Sequence, residues 1–107
     1  GLGNSALVNF VKHFSNDVGP EGITVNVVHP PFTKTDRYPA RLQARAEQLG
    51  VSLDEAEADF ASSFPIGRIV EPSDIAPMVL FLASPGASAV TGQAIAVDGG
   101  STQSVTY

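Results

Sequence analysis

Two kinds of hydrophobic pattern follow one another along the chain. Ala6, Leu7, Phe10, Val11 and Phe14 recur at the i, i+3, i+4 spacing that sets one apolar stripe on an α-helix. The spacing predicts a helix to about Val18, capped by Asn4 or Ser5 and ended by Gly19-Pro20. Glu21-Gly22 then turns the chain into Ile23–Val28, a run that is mostly β-branched and nearly all apolar. Such a run suits a strand buried on both faces, as in parallel sheets. It stops at His29-Pro30-Pro31, because proline cannot donate to a ladder. A polar loop with Thr33, Lys34, Thr35 and Asp36 follows. Loops at the carboxyl ends of parallel strands are where open α/β sheets bind ligands.

Residues 37–63 are rich in Ala, Glu, Gln, Arg and Leu and read as helical, with a break near Gly50-Val51-Ser52. Ser52-Leu53-Asp54-Glu55 fits a capping box opening the second piece. This insert, about 37–64, follows the strand-end loop directly, so it can lie over it as a lid. The plainer alternative is a solvated helical hairpin that only covers hydrophobic surface. Phe64–Arg68 is a turn-rich connector. A third helix is expected from Pro72 or Ser73 to Ala83, apolar nearly all round and therefore buried. With Ser73 as N-cap, Pro77 would be its fourth residue and would remove only the first intrahelical bond. Ser84-Pro85-Gly86 stops this helix. Gln93–Val97 reads as a second short strand, closed by a turn at Asp98-Gly99-Gly100, and Ser101–Tyr107 has no assignment.

The order helix, strand, helical lid, helix, strand predicts an α/β fold in which a right-handed crossover joins two parallel strands. A two-stranded sheet is marginal alone, so both strands look built for a larger one. The chain starts Gly-Leu-Gly without methionine and enters a helix almost at once, so it is expected to be a fragment.

Composition narrows the function classes. The chain has 107 residues, which bounds it to one small domain, and a formal net charge of −5. That charge argues against nucleic acid or an anionic membrane surface as the main partner. There is no cysteine, and His13 and His29 have no ligand spacing, so no metal site is expected. No apolar run approaches a membrane span and no signal peptide is visible, so the expected location is the cytoplasm. His29 reads as a packed or hydrogen-bonded histidine, and His13 as solvent-facing.

Three blocks together resemble the C-terminal part of a short-chain dehydrogenase/reductase. Asn4-Ser5-Ala6-Leu7-Val8-Asn9-Phe10 is similar to the helix carrying that family's Tyr-x-x-x-Lys. Val25-Asn26-Val27-Val28-His29-Pro30-Pro31-Phe32-Thr33-Lys34-Thr35 resembles its Val-Asn…Pro-Gly…Thr strand and loop. Pro65-Ile66-Gly67-Arg68, Glu71–Ala76, Phe81–Ser84, Thr91-Gly92 and Val97–Gly100 make a longer, distinctive third block. The resemblance covers nearly the whole chain. It implies the C-terminal part of a Rossmann-type doubly wound parallel sheet and an NAD or NADP cofactor. It also implies hydride transfer between an alcohol and a carbonyl compound, and a homo-oligomer, a dimer or tetramer. The family's tyrosine is the general acid/base, its lysine cation favours the ionised phenol, and a serine steadies the carbonyl oxygen.

The departures are specific. Asn4 stands at the position of the family lysine, which would place the tyrosine one residue before Gly1. The Gly-rich dinucleotide fingerprint is absent from these residues. Pro31 stands where the family usually has glycine. By the resemblance, Thr35 would reach the cofactor near the nicotinamide through its hydroxyl, and Thr33 would meet the carboxamide through its backbone. Pro30 and Pro31 would shape the loop beside the ring. Phe32, Arg37 and Tyr38, at the entry to the lid, are candidates for substrate contact. Two functions stay open: an NAD(P)-dependent oxidoreductase of which this is the C-terminal portion, or a non-catalytic member kept as an assembly module.

Overall fold

The computed structural model describes residues 2–102, with side chains from Ser5 onward. Helix α1 spans Leu2–Val18, and a single 3-10 turn at Gly19–Glu21 follows it. Strand β1 is Val27–His29. Helices α2 (Tyr38–Leu49) and α3 (Leu53–Ala61) form the helical insert. Helix α4 runs Pro72–Leu82, a 3-10 turn covers Pro85–Ala87, and β2 is Ala94–Ala96. The strands pair in parallel, Val27 with Ala94, Val28 with Ile95 and His29 with Ala96. The expected element order and the α/β class are observed.

Several expectations need correction. α1 begins at Leu2, so Asn4 and Ser5 stand inside the helix and neither is its N-cap. Its apolar stripe is divided. Val11 and Ser15 are buried, while Leu7, Phe10 (63% exposed) and Phe14 face outward, with the two phenylalanine rings 5.8 Å apart.

The strand expected over Ile23–Val28 is three residues long, and no residue of it is fully buried. Upstream of Val27, side chains replace the ladder. Val25 N–H donates to Thr91 Oγ1 at 3.0 Å, and Gly92 N–H donates to the Val25 carbonyl at 2.7 Å. The Asn26 amide donates to the Val90 carbonyl and accepts from Gln93 N–H, at 3.0 and 3.1 Å. These bonds satisfy the backbone without a regular strand.

α4 is apolar as expected, but none of its residues is buried. Ile75 packs against the core and, with Pro72, Ala76, Val79 and Leu80, also lines a cleft described below. The N-cap is Glu71, so Pro77 is the sixth helical residue. The bond it cannot donate would run to the Ser73 carbonyl, on an exposed residue that water can reach.

The hydrophobic core lies at the junction of loop and insert rather than under the sheet. Tyr38, Phe64, Ile69 and Val70 are buried together, with Phe32, Leu42, Phe60, Ala61 and Ile75 packed around them. Phe32 and Phe60 stack with centroids 4.8 Å apart. A parallel bridge between Thr33 and Val70 joins the loop after β1 to the connector before α4, with Lys34 N–H donating to the Val70 carbonyl at 3.0 Å. The radius of gyration is 17.0 Å. A compact domain of this length has about 13 Å. The structure is therefore elongated, 56 × 28 × 23 Å, which is why so many apolar side chains are exposed.

The insert is built as its sequence expects. Gly50 caps α2 in the left-handed region at φ 67° and its N–H bonds the Ala46 carbonyl. Ser52 Oγ accepts from Glu55 N–H at 3.1 Å, completing the capping box. Asp98 closes the last turn by accepting from Gly100 N–H at 2.9 Å and Thr102 N–H at 3.1 Å. Hydrogen bonding, first from the Thr102 side chain, holds the Asp98 carboxyl below the usual carboxylate range. Among the described residues no helix is long and apolar enough to cross a membrane.

Candidate functional site

The parallel β1 delivers the chain at His29 into a loop with little freedom. Pro30 and Pro31 fix two successive φ angles. Thr33 Oγ1 then donates to the Pro31 carbonyl at 2.8 Å, and Thr35 N–H donates to the Thr33 carbonyl at 2.8 Å. Tyr38 N–H in turn bonds the Thr35 carbonyl at 2.9 Å, so the loop passes without slack into α2.

This loop forms one wall of a cleft of about 760 Å³, within the usual range for small-molecule sites. Pro30, Pro31, Phe32, Thr33 and Thr35 come from the loop. Arg37 and Arg41 come from the start of α2, and Pro72, Ile75, Ala76, Val79 and Leu80 from α4. The walls are mostly apolar, and Leu80 is 71% exposed to the cleft and solvent. The polar groups are few: the two threonines and the two arginines. The Arg41 guanidinium lies over the Phe32 ring, 4.7 Å from its centroid, in cation–π geometry.

Pro30, Pro31, Phe32, Thr33, Thr35 and Arg37, singled out from the sequence, therefore line one cleft. Tyr38 does not. It is only 8% exposed and sits in the core behind the Phe32 wall. Its hydroxyl donates to Glu57 Oε1 at 2.9 Å, and the same oxygen lies 2.7 Å from Lys34 Nζ. Burial first, then the bond and charge of Glu57, push the Tyr38 phenol up to about 12. The Lys34 ammonium, followed by the Tyr38 hydroxyl, holds the Glu57 carboxyl below its ordinary value. Asn4 lies in the first turn of α1, and its side chain falls outside the described residues.

The sequence reading missed Arg41 and the α4 wall. Arg41 follows Arg37 by four residues, the spacing that puts two side chains on one helix face. The all-round apolarity of α4 predicts burial, whereas one part of it borders the cleft. The link from Lys34 and Tyr38 to Glu57 spans about twenty positions and leaves no local signal.

A second ion pair fixes the start of α4. Arg68 donates through both terminal nitrogens to the Asp74 carboxylate, at 2.7 and 2.8 Å. Asp74 Oδ2 also accepts from Glu71 N–H at 2.8 Å. The Arg68 fork, followed by that backbone bond, pulls the Asp74 carboxyl down to about 2.

Comparison with known proteins agrees with this architecture. A family model described as enoyl-(acyl carrier protein) reductase matches residues 3–102. The chain is 39% identical over 102 residues to the NADPH-dependent reductase BacG of Bacillus subtilis, covering 95% of this chain and 39% of that protein. It is 40% identical over 94 residues to a putative ketoacyl reductase of Streptomyces coelicolor, covering 88% of this chain and 36% of the relative. A crystal structure of a short chain dehydrogenase family protein from Francisella tularensis superposes with a TM-score of 0.83 at 36% identity, over 96% of this chain and 43% of the other. The chain spans about two-fifths of the length of the curated relatives it matches. With a family model covering nearly every residue and a matching fold, the chain belongs to the short-chain dehydrogenase/reductase family.

Proposed function

We propose that the chain is the C-terminal portion of an NAD(P)-dependent oxidoreductase that moves a hydride between an alcohol and a carbonyl compound. The cleft carries the reading. Its floor is the loop at the carboxyl end of a parallel strand, where open α/β sheets take their ligands. Lid helix α2 and apolar helix α4 close it on the other sides. The reductase names of the relatives support the reading, and the Bacillus relative is named as NADPH-dependent. A non-catalytic alternative draws no support from them.

The residues fit a nicotinamide cofactor. Thr35 lines the cleft with an exposed hydroxyl that has no protein partner among the described residues. The Thr33 hydroxyl is spent on the Pro31 carbonyl, so this residue would serve through its backbone. Pro30 and Pro31 would keep that stretch stiff beside the ring. When bound, the cofactor supplies the hydride chemistry. Phe32 and Arg37 would face the substrate. Tyr38 acts from behind as a positioning residue, holding loop and lid together through Glu57. Asn4, at the position of the family lysine, would offer hydrogen bonding without a charge. The family resemblance further supports a homo-oligomer, and the exposed Leu7, Phe10 and Phe14 offer apolar surface for such a contact.

Fluorescence titration with NADH and NADPH tests the assignment. Thr35→Ala should weaken binding by about 0.5–1.5 kcal/mol, the worth of one hydroxyl contact. The titration is made on the full-length protein, which supplies the Gly-rich half of the site: there an unchanged dissociation constant rejects the role of Thr35, and absence of any nicotinamide binding rejects the function.

A further inference from the structure

Arg37 and Arg41 stand one helical turn apart, and both line the cleft. The chain has only six Lys and Arg residues. Three of them, Lys34, Arg45 and Arg68, are neutralised by Glu57, Asp59 and Asp74. Neither Arg37 nor Arg41 has a carboxylate partner among the described residues, and no Asp or Glu lines the cleft. In a chain of net charge −5, two uncompensated guanidinium groups at one cleft are a local excess of positive charge. Arg41 is also oriented, because its head rests on the Phe32 ring. The remaining surface, from Pro31 and Phe32 across to Ile75, Val79 and Leu80, is apolar.

We propose that the cleft takes a carbonyl or alcohol substrate with an apolar body and an anionic oxygen group, a carboxylate or phosphate ester, held by Arg37 and Arg41. The inference deepens the reading of the cleft as a substrate site and rests on it. Guanidinium groups bind such oxygens through paired, charge-assisted hydrogen bonds. The apolar walls receive the body, while Arg37 and Arg41, both exposed, meet the anionic group at the mouth of the cleft, where salt weakens the attraction. The competing source of anionic oxygen is a phosphate of the cofactor.

A matched pair of probes separates these cases: para-acetylbenzoate and its neutral methyl ester. Binding of each is measured by isothermal calorimetry on the purified full-length protein, without cofactor and with saturating NADPH, and ketone reduction is followed alongside. The expected result is tighter binding of the acid by about tenfold, equivalent to about 1.4 kcal/mol. Arg37→Gln and Arg41→Gln should each bring the acid-to-ester ratio towards one while the NADPH dissociation constant stays within about twofold of the parent value, as the assignment to substrate requires. Equal binding of acid and ester by the unmodified protein overturns the proposal and needs no variant. So does binding of neither probe. A loss of NADPH affinity in the arginine variants that matches the loss for the acid also overturns it, by assigning the pair to the cofactor. Selective binding of the acid with no NADPH binding and no reduction leaves the anion site standing and removes the oxidoreductase reading. Reduction of both probes with equal efficiency does the reverse.

Discussion

Lys34 Nζ and Glu57 Oε1 lie 2.7 Å apart, and this pair joins the loop after β1 to α3. The Tyr38 hydroxyl binds the same carboxylate oxygen from the start of α2, so three segments meet on one atom. The helical insert is therefore tied to the loop that floors the cleft.

That tie predicts a modest ionic term and a larger hydrogen-bonded one. The Lys34 and Glu57 side chains are 33% and 41% exposed, so solvent screens their attraction. A double-mutant cycle of Lys34→Ala and Glu57→Ala should give a coupling of about 0.2–1 kcal/mol that shrinks in high salt. Tyr38→Phe should cost about 0.5–1.5 kcal/mol, since it removes the hydroxyl from a buried position. The raised phenol pKa adds an alkaline limit. Its contribution is complete below pH 10 and is lost as pH rises towards about 12, because the unfolded tyrosine ionises first. Urea denaturation across this range checks both statements.

Gly92 should not tolerate a side chain. Its φ is +70°, and a Cβ there would meet Ser15 Oγ at 2.7 Å and Lys12 Cδ at 3.1 Å. Ser15 is buried and its hydroxyl is fixed on the Lys12 carbonyl at 2.7 Å, so α1 has little room to give. Gly92→Ala should cost about 1–2 kcal/mol from the left-handed backbone alone, with the contact added to it. Thermal melting of the variant gives the answer; a loss confined to the backbone cost would show that α1 shifts freely, and an unchanged midpoint would refute both parts.

Asp74 predicts an acid-sensitive element. Its folded pKa is depressed from 3.8 to about 2, so its stabilisation is present above pH 3.8 and is lost as pH falls through about 2. Asp74→Asn should lower the melting temperature at neutral pH, by an amount that shrinks as pH falls from 3.8 through about 2, where the native carboxylate becomes protonated. A melting difference that stayed constant across that window would assign the effect to packing instead.

Asn4 predicts an altered pH profile. If the full-length protein is the proposed oxidoreductase, its acid/base tyrosine must ionise without a lysine cation, so its activity should rise at higher pH than in lysine-bearing relatives. Asn4→Lys should lower that pH by a visible fraction of a unit. Because α1 already starts at Leu2, loss of a helix cap does not compete as an explanation. A pH–rate profile that ignores the added lysine would show that Asn4 does not occupy the lysine's role.

Local chemistry made much of this protein legible. Gly50, the Ser52–Glu55 box and the paired prolines act within a few residues, so the helix breaks, the cap and the end of β1 could be read directly. Hydrophobic periodicity with its Gly and Pro breaks gave the order of elements and the loop that floors the cleft, and the three family blocks agreed with them. Tertiary structure decided which faces are covered, because apolarity states a preference for leaving water without naming the neighbour. Val11 found one, whereas Leu7 and Phe10 on the same helix did not. α4 divides its apolar surface between a core and a cleft. β1 is short because Thr91 and Asn26 side chains satisfy the backbone that a longer ladder would have used. Tyr38 was drawn into the core, behind the wall it was expected to form, because burying its ring against Phe64 and Val70 still left its hydroxyl in reach of Glu57.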